Sequence, residues 1–408
     1  MKILHTADWH LGKRLERFSR LEEQKAVLQE ICEIAEQEKV DAVLVAGDLF
    51  DAFNPPAEAA ELFYKILKRL SGDGNRAVIA IAGNHDSPER IEAPDPLARE
   101  CGIILAGYPD SVVAPFSLES GLAVTRSEPG FLELKLPFSP TLLRILFTPY
   151  ANENRLKTCL GFGENPETEL RSLLQQRWQT LADQYCDTAG VNILLAHLFM
   201  MQQGETVFEE PEDEKPILHV GGAQAVYTES VPRQIQYVAL GHLHRKQQIG
   251  AEPCPIFYCS SPLAYSMSEA EQDKYVILVE AEAGRAATCR ARKLKSGRRL
   301  LRGSFDSVDE AIAWLRENPA ALVEITLQTE TFLAAEERRK LNEAHGGIVA
   351  VIPLVKTAET TEKASKPEID LDKRIEELFG DYFRHKHGQP PNEEILQLFR
   401  EVLAETEE

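Results

Sequence analysis

Residues 40–51 read VDAVLVAGDLFD, an apolar run that stops abruptly at Gly47 and Asp48. A run that is apolar at every position, instead of at alternate positions, is typical of a strand buried on both faces. Two similar runs flank it in the chain, KILHTAD from residue 2 and AVIAIAGNHD from residue 77, and a helical pattern separates each pair. This βαβαβ order predicts an α/β fold with a layered core.

The rest of the chain divides by composition into further segments. Strand-like runs such as VNILLAH, YVALGHLH and YVILVEAEAG continue the pattern, so we expect one main domain over residues 1–284. From residue 285 the chain is strongly basic, and helix, strand, helix and strand patterns then predict a small α+β domain over 285–356. Residues 357–369 have the composition of a linker, and two amphipathic helical patterns predict a helical tail over 370–408.

Charge and composition restrict the function. The chain of 408 residues carries 45 Lys plus Arg against 65 Asp plus Glu, a net charge of −20, which argues against a surface that coats nucleic acid generally. Any polyanionic partner must therefore meet a local basic patch or bound cations. An acidic, proline-broken stretch at 205–216 is expected to be a surface loop.

Cysteine usage and the amino terminus indicate the compartment. Seven cysteines without a CxxC pair suggest neither a disulfide framework nor a thiolate zinc site. Neither a signal sequence nor a run of membrane-spanning length is apparent. We therefore expect a cytoplasmic protein.

Metal-competent side chains stand where the predicted strands end. They are two aspartates, one asparagine and four histidines: Asp8, His10, Asp48, Asn84, His197, His242 and His244. Because the carboxyl ends of strands in an open α/β sheet border one crevice, these side chains are expected to meet in space. Side chains alternate along a strand, so Asp8 and His10 are expected to point to one side, as are His242 and His244.

The kinds of ligand predict the kind of metal site. Imidazole, carboxylate and amide groups together favour manganese, iron or zinc over calcium. Seven ligands exceed the normal shell of one ion and suit two ions that share a carboxylate. Asp48 is the natural bridge, because a carboxylate has two oxygens and Gly47 before it lets the backbone turn closely. Two ions roughly 3.5–4 Å apart form the usual clamp for phosphoester hydrolysis.

A further histidine is the candidate for proton transfer. His85 follows Asn84 directly, so alternation would turn its ring away from the metals, toward the leaving oxygen or the phosphoryl oxygens. A catalytic histidine needs a partner that orients it. We expect the carboxylate of Asp51 to do so, with Asp86 as the alternative.

The motifs DWH, GDLFD, GNHD, the isolated His197 and GHLH resemble, in order and spacing, the calcineurin-like metallophosphoesterases. More narrowly, ILHTADWHLGKR, VDAVLVAGDLFD, AGNHDS and YVALGHLHRKQ resemble the SbcD family of bacterial nuclease subunits, with all strong motifs within about residues 1–265. The resemblance implies a layered α-β-β-α core, a small α+β capping domain that contacts DNA, and a helical tail that binds the coiled coil of an SbcC-like ATPase. In this family two such subunits usually assemble with two ATPases, as a homodimer within a heterotetramer.

The resemblance also implies roles for the strand-end residues. One manganese would be held by Asp8, His10, Asp48 and His244, and the other by Asp48, Asn84, His197 and His242. His85 would be the catalytic histidine. We therefore expect two Mn²⁺ ions per chain, with Mg²⁺ or Fe²⁺ as alternatives.

Two further sets of residues are candidates for macromolecular contacts. Basic residues beside the site and after residue 285 could neutralise DNA phosphates, or else belong to a solvated face: Arg245, Lys246, Arg290, Arg292, Lys293, Lys295, Arg298 and Arg299. Apolar stripes of the tail could dock on the ATPase, or else pack on the main domain: Ile375, Leu378, Phe379, Phe383, Leu398 and Phe399.

The remaining histidines are expected to be structural. His5 lies within the first predicted strand and is expected to be a hydrogen-bonded core residue. Four others lack partners in the sequence and are expected at the surface: His219, His345, His385 and His387.

The leading hypothesis for function is a two-manganese DNA nuclease. It would act as an exonuclease on duplex ends and an endonuclease on hairpins and single strands, in DNA repair, recombination and replication. A metal-dependent phosphodiesterase or phosphomonoesterase of small substrates would use the same metals, but it does not need the chain after residue 285. A scaffold subunit without activity is the third alternative, and the complete ligand set argues against it.

Overall fold

The computed structural model describes residues 1–156, 166–204, 225–329, 333–355 and 375–387, together with Pro391, Leu396 and Phe399. These residues fall into two compact units, Met1–Val355 and Lys356–Glu408. Several expectations concern residues outside the described ones: the acidic loop at 205–216, the linker at 357–369, His219, Leu398, and the side chains of His385 and His387.

Strands make up most of the first unit. In chain order the described strands are β1 Lys2–Thr6, β2 Arg14–Leu15, β3 Phe18–Ser19, β4 Ala42–Ala46, β5 Ala77–Ile81, β6 Ile103–Ala106, β7 Ala123–Glu128, β8 Phe131–Lys135, β9 Leu143–Thr148, β10 Val191–His197, β11 Met200–Met201, β12 Val226–Tyr227, β13 Tyr237–Gly241, β14 Gln247–Gly250, β15 Ile256–Tyr258, β16 Tyr275–Glu280, β17 Thr288–Lys293, β18 Leu300–Phe305, β19 Leu322–Thr329 and β20 Ile348–Val355.

Helices separate many of these strands. The described α-helices are α1 Leu21–Gln37, α2 Ala57–Ser71, α3 Pro88–Glu92, α4 Asp95–Glu100, α5 Glu153–Leu156, α6 Pro166–Tyr185, α7 Val308–Glu317, α8 Ala335–Ala344 and α9 Ile375–His387, with 3-10 turns at Thr228–Ser230 and Met267–Glu269. Over the described part of the chain, none of the helices has both the length and the apolar character that crossing a membrane requires.

Two large sheets form the main body of the first unit. One has six strands in the order β17-β16-β1-β4-β5-β6, of which β1, β4, β5 and β6 run parallel. The other has seven strands in the order β14-β15-β13-β10-β9-β8-β7, of which β15, β13, β10 and β9 run parallel. Every residue of β4, β5, β10 and β13 is buried, as the continuous apolar runs predict.

The sheets and helices stack in four layers. The inner faces of the two sheets pack on each other through residues such as Leu44 and Ile145. Helices α1 and α2 cover the outer face of the first sheet, where Ile31 and Phe63 are buried. Helix α6 covers the outer face of the second sheet, where Trp178 is buried. The expected α-β-β-α layering is thereby confirmed.

The chain after residue 285 differs from the expected arrangement. Strand β17 pairs with β16 along its whole length, so this basic segment is an edge of the first large sheet and does not begin a separate domain. A separate sheet of three parallel strands, β18, β19 and β20, starts at Leu300 and packs against α7 and α8. The shift to basic composition has a local cause: most side chains of β17 are exposed at a sheet edge, where charge prevents pairing with another chain.

The second unit shows how the tail packs on itself. The rings of Phe379 in α9 and Phe399 are stacked with centroids 3.9 Å apart, and Phe383 lies 5.9 Å from Phe379. Ile375 and Tyr382 remain 57% and 56% exposed. The apolar stripes of the tail are therefore only partly covered by each other.

The two large sheets touch at the carboxyl ends of β4 and β13. A Cβ atom at Gly241, the last residue of β13, would lie 1.7 Å from the carbonyl oxygen of Ala46, the last residue of β4. Gly47 has a φ of +87°, and a Cβ atom there would lie 2.1 Å from Nδ1 of His197. Glycine is required at both positions, because even one methyl group would separate the sheets.

We expect Gly241→Ala to lower the free energy of unfolding by about 2–4 kcal/mol, because the new methyl group collides with the Ala46 carbonyl. Gly346→Ala is the matched control: a Cβ atom there has no neighbour within 4 Å among the described residues, and its effect should stay within ~0.5 kcal/mol. Urea denaturation followed by circular dichroism measures both values. Equal stability of the two variants would contradict the close contact of the sheets.

Candidate metal centre

The structure brings the seven candidate ligands together where the two sheets touch. The first sheet contributes residues that follow β1, β4 and β5, and the second contributes the end of β10 and residues that follow β13: Asp8, His10, Asp48, Asn84, His197, His242 and His244. All seven are buried, and none is more than 7% exposed. Ligand atoms lie within 4.8 Å of one another in three groups: Asp8, His10 and His244; Asp8, Asp48 and His197; and His10, Asp51 and His85.

The backbone at four of the seven ligands has a positive φ and is not extended. Strand β1 ends at Thr6, and φ is +53° at Asp8 and +43° at His10. Asp48 and His242 also have positive φ, +46° and +109°. Asp8 and His10 do face one cluster, as expected, but turns after β1 bring them there and not the alternation of side chains along a strand. Each such turn stores about 1–3 kcal/mol of strain and persists only where surrounding contacts impose it.

Main-chain hydrogen bonds impose these turns. The N–H of Asp8 donates to the carbonyl of Gly47 at 3.0 Å, and the N–H of His10 donates to the carbonyl of Asp48 at 2.9 Å. From the second sheet, the N–H of His242 donates to Oδ1 of Asp8 at 2.9 Å. The loops that carry the ligands are thus bonded to each other across both sheets.

One cluster of ligand atoms is formed by His10 and His244 with Asp8. The Nε2 atoms of His10 and His244 lie 3.0 Å apart. His244 donates its Nδ1–H to Oε1 of Glu269 at 3.2 Å, so its Nε2 carries the lone pair. Two imidazole nitrogens this close need a proton or a cation between them.

The other cluster is formed by His197 and His242 with Asn84. His197 donates its Nδ1–H to the carbonyl of Ala46 at 2.8 Å, which leaves a lone pair on its Nε2. That Nε2 lies 2.8 Å from Oδ1 of Asn84, and Nδ1 of His242 lies 3.1 Å from the same oxygen. Ligand atoms of three residues therefore surround one point.

Asp48 lies between the two clusters. Its Oδ1 accepts a hydrogen bond from the N–H of His85 at 2.9 Å. Its Oδ2 lies 3.4 Å from Nε2 of His10 and 3.5 Å from Nε2 of His197, one nitrogen from each cluster. A single carboxylate oxygen thus faces both clusters, which is the geometry that a bridging ligand requires.

The protonation states suit cations. Burial lowers the pKa of His197 to about 3 and the pKa of His10 to about 4, so both imidazoles are neutral at pH 7. Burial also raises the pKa of the Asp8 carboxyl well above its usual value, and the neighbouring carboxylate of Asp48 adds to this effect. Within the described residues, Oδ2 of Asp8, which carries lone pairs, is buried without a hydrogen-bond partner. These residues fit divalent cations, which would compensate the buried charge and take up the lone pairs.

His85 is oriented by a different group than the sequence suggested. Its Nδ1–H donates to the main-chain carbonyl of Asp51 at 3.0 Å, while the Asp51 carboxylate pairs with Lys13 at 2.9 Å and lies 3.5 Å from Nδ1 of His10. The Asp51 side chain is therefore not the partner of His85, because it is turned toward Lys13. Nε2 of His85 is buried and, in the described part of the chain, has no hydrogen-bond partner.

Asp86, the alternative partner, has a structural role. Its carboxylate accepts hydrogen bonds from the N–H groups of Gly83 at 2.7 Å, Leu49 at 3.0 Å and Phe50 at 2.9 Å. It thereby joins the loop after β4 to the loop after β5. Asp86 does not orient His85 because both of its oxygens are occupied by these main-chain donors.

Two residues near the site have no counterpart in the sequence analysis. Arg155 donates to the carbonyls of Gly83 and Asp86, each at 2.7 Å, and so clamps the loop that carries Asn84 and His85. Glu269 is 3% exposed and contacts His244. Neither residue belongs to a motif that points to the site, so only the fold reveals them.

Two other histidines can be placed. His5 accepts from the Tyr237 hydroxyl at 2.9 Å and donates to the Leu240 carbonyl at 3.1 Å, so it is the hydrogen-bonded core residue that was expected. His345, expected at the surface, is only 6% exposed. That expectation is wrong, because the ring donates to the Asn318 carbonyl and accepts from the N–H of Gly347, both at 3.0 Å, and so fixes the turn before β20.

The candidate DNA-binding residues differ in whether they form ion pairs with carboxylates of the same chain. Three are paired with carboxylates of the same chain: Arg290 with Glu38 at 2.9 Å, Lys293 with Asp273 at 2.6 Å, and Arg298 with Glu23 at 2.9 Å. Lys246 lies over the ring of Tyr275, 4.7 Å from its centroid. The other four have no ion pair with any described residue: Arg245, Arg292, Lys295 and Arg299.

Comparisons with known proteins agree with this geometry. The calcineurin-like phosphoesterase family matches residues 1–246. The chain is 36% identical over 415 residues to the SbcD subunit of the nuclease SbcCD from Bacillus subtilis, an alignment that covers 100% of this chain and 99% of the relative. The SbcD subunit of Rhodobacter capsulatus is 33% identical over 70% of this chain and 68% of its own, and that of Escherichia coli K12 is 29% identical over 83% and 81%. The chain therefore belongs to the calcineurin-like phosphoesterases and, within them, to the SbcD family of SbcCD nuclease subunits.

Proposed function

We propose that the chain is a nuclease that hydrolyses DNA phosphodiester bonds with two Mn²⁺ ions, as a subunit of an SbcCD-type complex. The observation that carries the proposal is the pair of buried ligand clusters that share Asp48. One ion would be held by Asp8, His10, Asp48 and His244, and the other by Asp48, Asn84, His197 and His242. The relative from Bacillus subtilis that aligns with the whole chain is named as a nuclease subunit, which supports the choice of reaction.

The size of the chain supports DNA as the substrate. The family match ends at residue 246, and the three-stranded sheet and the tail follow it. A small phosphodiester would need no more than the site itself. We therefore propose exonuclease action on duplex ends and endonuclease action on hairpins and single strands, in DNA repair, recombination and replication.

Each group in the site has a task in this reaction. Bound divalent cations would polarise the phosphoryl group and lower the pKa of a water molecule. Asp48 would hold the two ligand clusters at a fixed distance from each other. Its Oδ1 is fixed by the N–H of His85, and its Oδ2 faces both clusters. His85 would act from Nε2, as the Asp51 carbonyl holds its Nδ1–H. Once protonated, Nε2 can donate to the leaving oxygen or to a phosphoryl oxygen.

Arg155 would keep His85 and Asn84 in position. Its guanidinium is buried and bonds the carbonyls on either side of these two residues. Because the loop is bonded from the Arg155 side and from Asp48, the proposed ligand and the proposed proton donor cannot move independently.

The DNA contact is proposed for the basic residues that form no ion pair with any described residue. Arg245 follows the ligand His244, Arg292 lies on the exposed edge strand β17, and Lys295 and Arg299 follow that strand. The carboxylates paired with Arg290, Lys293 and Arg298 already compensate those charges. Against a net charge of −20, these four cations, which form no ion pair with a described residue, would provide a local positive surface for phosphates.

The tail is proposed to bind an SbcC-like ATPase. The relatives are named as subunits of SbcCD, which supports a partner chain. In the tail, Phe379 stacks on Phe399 while Ile375 stays exposed, so one apolar face remains for a partner helix. Leu378 and Phe383 would extend that face, and two such chains would assemble with two ATPases.

His85→Ala is expected to keep two Mn²⁺ ions per chain and to lose cleavage of linear duplex and hairpin DNA by about 10²–10⁴-fold, because only the proton donor is removed. His242→Ala should lose one of the two ions, because a ligand is removed. Plasma mass spectrometry after dialysis against Mn²⁺ and a nuclease assay measure both effects. Loss of an ion from His85→Ala would contradict the assignment of His85. Cleavage of bis(p-nitrophenyl) phosphate, but not of DNA with the ATPase present, would favour the small-substrate alternative.

Removal of cations that form no ion pair with a described residue should lower the affinity for DNA. It should also make that affinity depend less on salt concentration. In a His85→Ala background, Arg292→Ala with Arg299→Ala is expected to reduce the slope of log K against log salt concentration by about 2, one for each lost phosphate contact. The matched control is Arg290→Ala with Lys293→Ala, whose charges are compensated by Glu38 and Asp273. Fluorescence anisotropy at several salt concentrations measures the slope for both double variants. An equal loss of slope in the two would contradict the proposal that only the cations without ion pairs contact DNA.

Deletion after residue 365 is expected to abolish co-purification with the SbcC-like ATPase, because the tail supplies the docking helices. Manganese-dependent cleavage of single-stranded DNA should remain, since every proposed ligand lies in the other compact unit. Affinity capture of the tagged ATPase and the nuclease assay give the two readings. Undiminished capture of the truncated chain would place the partner surface elsewhere.

A further inference from the structure

A buried ion pair holds His244 at both ends. The ring donates its Nδ1–H to Oε1 of Glu269 at 3.2 Å, and the ammonium of Lys274 donates to the main-chain carbonyl of His244 at 2.9 Å. Lys274 also donates to Oε2 of Glu269, so each of these three residues is hydrogen-bonded to the other two. None of the three is more than 7% exposed. The orientation of this proposed ligand is therefore fixed by two charged residues that do not reach the ligand cluster themselves.

The carboxylate of Glu269 is itself immobilised. Its Oε1 accepts from the N–H groups of Tyr265 at 3.0 Å and Ser266 at 3.2 Å, and its Oε2 accepts from the Ser261 hydroxyl at 3.3 Å. A buried ion pair often adds little to stability compared with apolar residues of similar volume, because both charges lose their hydration. The position of this pair against a proposed ligand indicates a role at the site.

The outer partners differ between the two ligand clusters. His197, in the cluster of Asn84, donates its Nδ1–H to the neutral carbonyl of Ala46. His244, in the cluster of His10, donates to a carboxylate. A carboxylate draws on the Nδ1 proton more strongly than a carbonyl does, and so makes Nε2 the better electron donor.

The opposite side of the His10 cluster has a similar arrangement. Nδ1 of His10 lies 3.5 Å from Oδ1 of Asp51, and Lys13 pairs with that oxygen at 2.9 Å. The order of histidine, carboxylate and lysine thus occurs on both sides of one cluster. The contact at Asp51 is the longer of the two, so Glu269 is the stronger candidate for an effect on binding.

We propose that Glu269 is a positioning residue that acts through His244 and makes the cation cluster of His10 and His244 the tighter of the two. The inference rests on the proposed metal-dependent function. Lys274 keeps the Glu269 carboxylate in place and also fixes the backbone of His244. The two cations would then bind with different affinities, and the difference would be set by a residue that is not a ligand.

Titration of the full chain with Mn²⁺ alone, followed by calorimetry, tests this directly. His197→Ala should leave only the His10 and His244 cluster, and His244→Ala only the other, so each dissociation constant is measured by itself. We expect the cluster that remains in His197→Ala to bind Mn²⁺ more tightly. Adding Glu269→Gln to His197→Ala should weaken that binding by about 10–100-fold. Glu271→Gln, the same change at an exposed neighbour, should leave the dissociation constant unchanged.

A second variant separates positioning from stability. Glu269→Gln leaves the Lys274 ammonium buried without its carboxylate, which lowers the thermal unfolding midpoint. Adding Lys274→Met removes that charge, so the midpoint should recover while Mn²⁺ affinity stays low. Recovery of affinity together with the midpoint would mean that Glu269 serves stability alone, and would overturn the inference.

The outcomes distinguish this inference from the proposed function. If the parent chain binds two Mn²⁺ ions and Glu269→Gln changes neither affinity, Glu269 has no positioning role and the proposed function stands. If the cluster that remains in His244→Ala binds Mn²⁺ more tightly than the cluster that remains in His197→Ala, the proposed order of affinities is wrong. If the parent chain binds no Mn²⁺, both proposals fail together.

Discussion

The concentration of unshared electron pairs between the two sheets is the constraint on which the rest of the structure depends. Two carboxylates, an amide oxygen and four imidazoles are buried within a few ångströms of each other. Such groups repel one another unless positive charge lies between them, so their positions must be imposed by the surrounding backbone. Main-chain donors to Asp8 and Asp48, left-handed turns at four ligands and the contact of Gly241 with Ala46 all serve that end.

The sequence predicted a layered α/β core and the convergence of the ligands because both follow from simple periodicity, whereas the α-β-β-α order of the layers was implied by the family resemblance. Short, continuously apolar runs are typical of buried strands, and the carboxyl ends of parallel strands lie at one edge. It could not predict what depends on backbone turns of a few residues. The Asp51 carboxylate pairs with Lys13, and the carbonyl of the same residue accepts the hydrogen bond from His85, which residue identities cannot indicate. Glu269 lies 25 positions after His244, outside any motif, so its contact required the fold.

The basic segment after residue 285 shows how composition can mislead. A dense run of Arg and Lys suggested both a domain boundary and a DNA surface. In the structure its first part is an edge strand, and several of its cations face carboxylates of α1 and neighbouring loops. Much of its positive charge is therefore paired with carboxylates of the same chain. Sequence shows how many cations a segment carries, but pairing across distant segments decides which of them are available to a ligand.

The route by which the centre is assembled during synthesis follows from the order of its residues. His10 and His244 approach to 3.0 Å although 234 positions separate them, and the outer support of His244 comes later still, from Glu269 and Lys274. Contacts of such long sequence separation form late, since the loops between them must close first. Synthesis must therefore pass residue 274 before Glu269 and Lys274 can support His244, so the outer support of the centre is completed after all seven of its proposed ligands have been made.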